Sequence, residues 1–277
     1  MMIKKQRQFS EPGNNKFKSC MRQIQVFDNK VEGSRAIARY IAHLVKRRQE
    51  EHKPVVLGLA TGSTPIGVYE ELVQIHKTEG LSFKNVITFN LDEYYPMRPS
   101  SQQSYTWFMH YHLFNHIDIP AQNIHIPDGA LAKEHIPAFC RGYEARIKEV
   151  GGVDLQLLGI GRTGHIGFNE PPVGADTITR LVSLHNITIE DAAAEFGGIP
   201  FTPKEAITVG ISTIMQAREI IIAGWGQNKA AIIKKAIEAN VDENIPASYL
   251  QTRSSVKWVL DKEAAAELSE MTVQSGA

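Results

Sequence analysis

The stretch Pro54-Val55-Val56-Leu57-Gly58-Leu59-Ala60-Thr61-Gly62-Ser63-Thr64-Pro65 decides the fold. Residues 54–60 are an unbroken apolar run of strand length, as expected for a strand covered on both faces inside a parallel sheet. A small polar turn follows at 61–64. An amphipathic segment then runs to about Lys77, with Pro65 placed where the first turn of a helix tolerates proline.

Outward from this unit the pattern repeats. Residues 31–48 carry Ile37, Ala38, Ile41, Ala42, Leu44 and Val45 at helical spacing. Residues 86–91, 153–160, 206–210, 219–225 and 256–260 read as strands, and 104–115 and 228–239 as helices. Strands alternating with helices predict an α/β, single-domain, Rossmann-like architecture: a mostly parallel sheet with helices on both faces. No low-complexity linker or internal repeat divides residues 24–277. Residues 1–23 differ: Lys4, Lys5, Arg7, Lys16, Lys18 and Arg22 face only Glu11, and Pro12-Gly13-Asn14-Asn15 breaks regular structure. They are expected to form a basic, flexible N-terminal arm.

Composition narrows the function. Thirty Lys and Arg balance thirty Asp and Glu over 277 residues, which argues against a nucleic-acid binder relying on bulk positive charge. No apolar run approaches the ~20 residues needed to cross a bilayer. The N-terminus has cations but no apolar core, so it does not read as a secretory signal. Cys20 and Cys140 lie far apart without zinc-ligand spacing and read as free thiols of a reducing compartment. A cytoplasmic protein is expected. His110, His112 and His116 have no acidic or cysteine ligand beside them and read as ordinary side chains.

Ligands of open parallel sheets sit beyond the carboxyl ends of the strands, where strand order switches. Three polar clusters fall at such ends. Gly62, Ser63 and Thr64 join a strand to a helix start, which suits a phosphate through free amides and the positive helix end, or serves as an ordinary cap. Asp92 and Glu93 follow the strand at 86–91. Neighbouring strand residues face opposite ways, so these two carboxylates are expected to have different tasks, one of them that of a general base. In Gly159-Ile160-Gly161-Arg162-Thr163-Gly164-His165 and on to Glu170, glycines permit close backbone approach, His165 can move a proton near neutrality, and Glu170 can orient its ring.

Taken together, residues 57–69, 82–94, 118–124 and 158–171 resemble the glucosamine-6-phosphate deaminase family, within a wider group that includes 6-phosphogluconolactonases. Residues 206–210 and 226–230 add weaker likeness. The carrying motifs are Phe89-Asn90-Leu91-Asp92-Glu93-Tyr94 and Gly164-His165-Ile166-Gly167-Phe168-Asn169-Glu170-Pro171. Residues 191–193 and 245–251 resemble a bacterial branch often fused to a second domain. The resemblance implies conversion of glucosamine 6-phosphate and water to fructose 6-phosphate and ammonia, without metal or organic cofactor. It implies Asp92 as the base that moves the C2 proton, His165 with Glu170 in ring opening, and Gly62, Ser63, Thr64 and Lys229 as phosphate ligands. It also implies a homo-oligomer acting on a small-molecule amino sugar phosphate, with no nucleic-acid or membrane partner.

Three departures stand out. Thr163 replaces the aspartate that usually partners the histidine, so the imidazolium is expected to lose a charged neighbour and ring opening to slow. Ala194 stands where a lid arginine usually clasps phosphate. Arg180-Leu181-Val182 lacks the lysine of an R-x-K allosteric pattern, so such regulation is expected to be weak or absent. The competing readings are a non-catalytic sugar-phosphate sensor, favoured by Thr163 and Ala194, and a 6-phosphogluconolactonase, disfavoured by Asp92-Glu93-Tyr94 and Phe168-Asn169-Glu170-Pro171.

Overall fold

The structure, a computed structural model, describes residues 23–270 and residue 272. The basic arm therefore lies outside the described residues except for Gln23, as does Cys20. In chain order the elements are β1 (Gln23–Phe27), α1 (Lys30–Glu50), β2 (Val55–Leu59), α2 (Ile66–Glu79), β3 (Val86–Asn90), β4 (Asp92–Tyr95), α3 (Tyr105–His112), β5 (Ile124–His125), α4 (Ile136–Glu149), β6 (Leu155–Leu158), β7 (Arg180–Ser183), α5 (Asn186–Ala192), β8 (Glu205–Thr208), α6 (Ile211–Met215), β9 (Glu219–Gly224), α7 (Ala230–Glu238) and β10 (Val256–Asp261).

Seven strands form one sheet in the order β1-β10-β9-β6-β2-β3-β5, and every pairing in it is parallel. The apolar runs are double-sided. On β9, Ile220 and Ile222 pack into one core with Ile233 and Ile237 of α7 and Ile214 of α6. The alternate residues Ile221 and Ala223 pack into the other, with Ile37 and Ile41 of α1 and Leu72 of α2. Period-two alternation between two apolar faces explains why these strands read as continuous hydrophobic segments. From β2 the chain steps outward to β3 and β5; from β6 it steps the other way to β9 and β10. The direction reverses between β2 and β6, and the crevice this opens is where such sheets bind ligands.

The α/β expectation holds, with one addition. β4, β8 and β7 form a separate antiparallel sheet, so residues 206–210 do not join the parallel array. Leu91 is the junction: its N–H donates to Leu59 O at 3.0 Å in the large sheet, and its carbonyl accepts from Val209 N at 2.7 Å in the small one. The chain thus leaves β3 and immediately enters β4 with Asp92.

Other expectations differ by a few residues. Pro65 is the N-cap residue of α2 rather than its first helical residue. The helix expected over 104–115 ends at His112 and continues as a 3₁₀ turn, Phe114–His116. Cys140 is a buried free thiol. The three histidines around α3 have local partners: His110 pairs with Asn115, His116 with the Tyr111 carbonyl, and His112 packs on Phe108. Among the described residues no helix is long and apolar enough to cross a membrane.

Candidate active site

The small sheet sets the first half of the site. Its register aligns Asp92, Thr208 and Arg180 across β4, β8 and β7, so their side chains share one face, and Tyr94 follows on the same face. That face packs on Phe168, with ring centroids of Tyr94 and Phe168 5.2 Å apart and Tyr105 stacked on Phe168 at 5.9 Å. Glu93 points the other way. Its carboxylate accepts from the N–H groups of Tyr94 (3.0 Å), Tyr105 (2.9 Å) and Thr106 (3.0 Å), holding the start of α3 where Ser104 also caps Trp107 N.

The adjacent carboxylates therefore have the different tasks that strand alternation predicts. Glu93 is a scaffold acceptor. Asp92 is only 6% exposed and accepts no hydrogen bond from the described residues. Burial, reinforced by the nearby Glu93 charge, pushes the Asp92 carboxyl up to about 8; burial pushes Glu93 up to about 7 against its backbone hydrogen bonds. A buried carboxyl without a partner is costly to ionise, and such groups cluster where proton transfer is needed. The phenols of Tyr69, Tyr94, Tyr105 and Tyr143 lie close enough to feel its charge. Of these, Tyr105 lies against Tyr94, with ring centroids 4.9 Å apart.

The second half comes from the turn after β6. Gly161 N donates to His165 O at 2.9 Å and Gly164 N to Gly161 O at 3.0 Å, curling the backbone tightly with Gly164 at φ 80°. The imidazole lies against Gly161: a Cβ there would stand 2.1 Å from ring atoms Cε1 and Nε2. Only glycine fits, which gives this position a steric reason. Gly167, at φ 58°, brings its backbone to Asp92, whose Oδ2 would lie 3.4 Å from a Cβ there. Asn169 is fully buried and locks the segment. Its amide donates to Ile166 O (2.9 Å) and Val209 O (2.8 Å), and its Oδ1 accepts from Arg180 at 3.0 Å.

Around His165 the structure brings together Thr163 and Glu170. Glu170 Oε2 lies 3.1 Å from His165 Nδ1, and Thr163 Oγ1 lies 2.9 Å from the same nitrogen and 3.3 Å from that oxygen. One arrangement satisfies all three contacts: Nδ1–H donates toward both oxygens, and the threonine hydroxyl donates to Glu170. The histidine thus keeps a charged neighbour, supplied by Glu170 itself. Glu170, five residues along the chain, folds back to Nδ1 as the ring-orienting carboxylate expected from the sequence, and Thr163 adds an uncharged partner in place of the aspartate usual in relatives. Burial opposes ionisation of Glu170. The hydrogen bond and charge of His165, the Thr188 hydroxyl at 2.5 Å and the His185 backbone N–H outweigh it and hold the carboxyl below its usual value. Thr188 and His185 belong to α5 and its cap, a contribution the sequence reading missed; no local signal marks a contact made across eighteen residues.

The turn 61–64 closes the third side. Gly62 sits at φ 86° with open space around it, Ser63 is exposed, and Thr64 packs its side chain over Gly159 at the end of β6. Trp225 Nε1 donates to Thr64 O at 3.0 Å, tying the end of β9 to this turn. α2 begins without a side-chain cap, so its first amides are available to an anion. Lys229 follows β9, half-buried; burial lowers its pKa, with Asp191 acting to raise it and Arg162 to lower it. Asp92, Thr163, His165 and Glu170 are thus linked through the 159–170 turn, and the turn 62–64 and Lys229 flank it on β2 and β9. Ala194 is exposed and offers no polar group.

Comparison with known proteins bears on this arrangement. The family profile described as glucosamine-6-phosphate isomerases/6-phosphogluconolactonase matches residues 28–258. A glucosamine-6-phosphate deaminase of Clostridium botulinum is 44% identical over 245 residues, covering 88% of this chain and 98% of that protein. A glucosamine-6-phosphate deaminase-like protein of Bacteroides thetaiotaomicron is 43% identical over 246 residues. It matches 89% of this chain, while the chain spans 37% of that longer relative. A solved monomeric glucosamine-6-phosphate deaminase of the NagB superfamily superposes with TM-score 0.84 at 39% identity, covering 88% of this chain and 99% of that one.

Proposed function

We infer the function from one premise: the chain belongs to the glucosamine-6-phosphate isomerase/6-phosphogluconolactonase family. The chain is an enzyme, a glucosamine-6-phosphate deaminase, taking a small amino sugar phosphate and water to fructose 6-phosphate and ammonia. The observation that carries this reading is the pairing of an unpartnered buried carboxyl, Asp92, with a histidine whose Nδ1 is held by Glu170.

The residues divide the work as follows. The phosphate rests on the amides of the turn 62–64 and the start of α2, with the Lys229 ammonium as counter-charge. His165 Nε2, free of hydrogen bonds within the described chain, faces the pyranose ring oxygen. A proton passes to that oxygen as the C1–O bond breaks and the C1 hydroxyl loses its own, giving the open aldehyde. Glu170 stabilises the imidazolium whenever the ring carries two protons. Asp92 then takes the proton from C2, a C1–C2 enol forms as the carbonyl oxygen takes up a proton released by the C2 ammonium, and Asp92 returns its proton to C1 as the amine lone pair closes onto C2. The resulting C2 iminium adds water and releases ammonia, leaving the C2 ketone.

The raised position of Asp92 fits this substrate. At rest the carboxyl is held largely neutral near pH 7 by burial. The substrate's C2 ammonium brings a positive charge next to it and favours the ionised form in which it acts. Every side chain invoked lies on one polypeptide.

The test is product analysis with the full chain and glucosamine 6-phosphate. Ammonium and fructose 6-phosphate should appear in equimolar amounts, with no acceleration of 6-phosphogluconolactone hydrolysis. Lactone hydrolysis without ammonium release would overturn the reading.

A further inference from the structure

The strand order β9-β6-β2 sets three strand ends side by side: Lys229 after β9, Arg162 after β6, and the turn 62–64 after β2. Arg162 thus stands between the two elements assigned to the phosphate. Its guanidinium is not committed to the protein core. It is 51% exposed and, among the described residues, meets a single carboxylate, Asp191 of α5, at 3.3 Å; Asp191 is itself 44% exposed. Asp191 also lies within electrostatic reach of Lys229, as does Arg162. One acidic side chain therefore faces two cations where a phosphate dianion is to bind, and the position that would supply a clasping arginine from the following segment, Ala194, carries only a methyl group.

We propose that Arg162 is the second cationic ligand of the substrate phosphate, and that Asp191 holds its guanidinium until the phosphate takes that carboxylate's place. The inference rests on the phosphate placement given under Proposed function. A half-exposed ion pair is weak because water solvates both partners. A phosphate dianion offers Arg162 a two-pronged, charge-assisted contact and gives Lys229 a partner in the same step. Exchange of Asp191 for phosphate is favourable on that comparison, and repulsion between the dianion and the displaced carboxylate moves Asp191 out of the cradle. An amino sugar without phosphate cannot drive this exchange, so Asp191 also selects for the phosphorylated substrate.

Inorganic phosphate is the probe, measured by calorimetry with the full chain, alongside steady-state kinetics with glucosamine 6-phosphate. Arg162→Ala should weaken phosphate binding about tenfold and raise KM in step, with kcat within about threefold. Arg162→Lys should fall between. Asp191→Asn should tighten phosphate binding about threefold, and by less than that in the Arg162→Ala background, where the carboxylate competes only at Lys229. Lys229→Ala tests the underlying placement. If it leaves phosphate binding unchanged, the cradle is elsewhere and both readings fall. If it weakens binding while Arg162→Ala does not, the placement stands and this proposal is overturned. Thermal melts check folding; should Arg162→Ala not fold, weaker binding by Arg162→Lys with tighter binding by Asp191→Asn sustains the proposal, and an unchanged Kd in either overturns it.

Discussion

Asp92 and Glu170 are both buried carboxyls in one site, yet their surroundings push them in opposite directions. Asp92 has no hydrogen-bond donor among the described residues and a second carboxylate beside it, and its proton is held up to about 8. Glu170 is buried too, but a histidine and a threonine hydroxyl face one of its oxygens and Thr188 the other, and its pKa falls. The difference separates roles. A carboxyl that gives up its proton reluctantly can also take one back from carbon, whereas one held ionised stabilises a neighbouring cation. The same residue chemistry yields a proton carrier in one place and a fixed counter-charge in the other, decided by which donors the backbone brings within hydrogen-bond reach.

The contrast can be broken by substitution. The largest effect is expected for Asp92→Asn, which keeps the shape and removes the base: ammonium release should fall by about 10⁴-fold. A loss under tenfold would place the proton carrier elsewhere. Glu170→Gln removes only the counter-charge, and kcat should fall about 10²–10³-fold with KM little changed. Gly161→Ala should cost about 10²-fold in kcat, because the new methyl would occupy the space of the His165 ring and displace it. Near-normal turnover would show that the ring does not need its present seat. Thr163→Asp should change kcat by less than about threefold. The Glu170 carboxylate already stands at Nδ1, and an added aspartate beside it brings like-charge repulsion in place of a missing charge. A tenfold gain would restore the view that Thr163 impairs the histidine.

Stability against pH sharpens the comparison with smaller effects of opposite sign. Asp92 is raised in the folded state, so the fold retains a proton that the unfolded chain gives up. Its contribution is fully present below about pH 4 and is lost as pH rises through about 8. The melting temperature of Asp92→Asn should therefore gain on the parent as pH rises from about 5 to 8. Glu170 is lowered, so its contribution is present above the ordinary glutamate range and lost as pH falls through it. The deficit of Glu170→Gln should shrink on acidification. Parallel slopes in the two variants would contradict the assignment.

Much of this was legible in the sequence, and the limits are physical. Period-two burial on both faces made β2, β6 and β9 plain as apolar runs, and the polar clusters at their ends marked the crevice. Strand alternation alone separates Asp92 from Glu93. The small antiparallel sheet was not legible, because β4 reads as the tail of β3 and β7 is half-polar and only four residues long; its pairing is a long-range fact. Glu170 was named in the sequence as the carboxylate that orients His165, but the geometry of the contact was not legible there. A motif fixes which residues are near in sequence, whereas the tight 161–167 backbone, made possible by Gly161, Gly164 and Gly167, decides that Glu170 reaches Nδ1. The Arg162–Asp191 pair likewise joins residues far apart in the chain and leaves no local trace.

The most direct test of the division between Asp92 and the His165–Glu170 pair is the isotope effect on kcat with glucosamine 6-phosphate deuterated at C2, measured for the parent and for Glu170→Gln. If Glu170 serves ring opening and Asp92 serves proton transfer, slowing the first step in the variant should mask the second, and the primary effect seen in the parent should shrink toward unity. An isotope effect larger in Glu170→Gln than in the parent would show that Glu170 acts on the C2 proton, and would contradict the assignment.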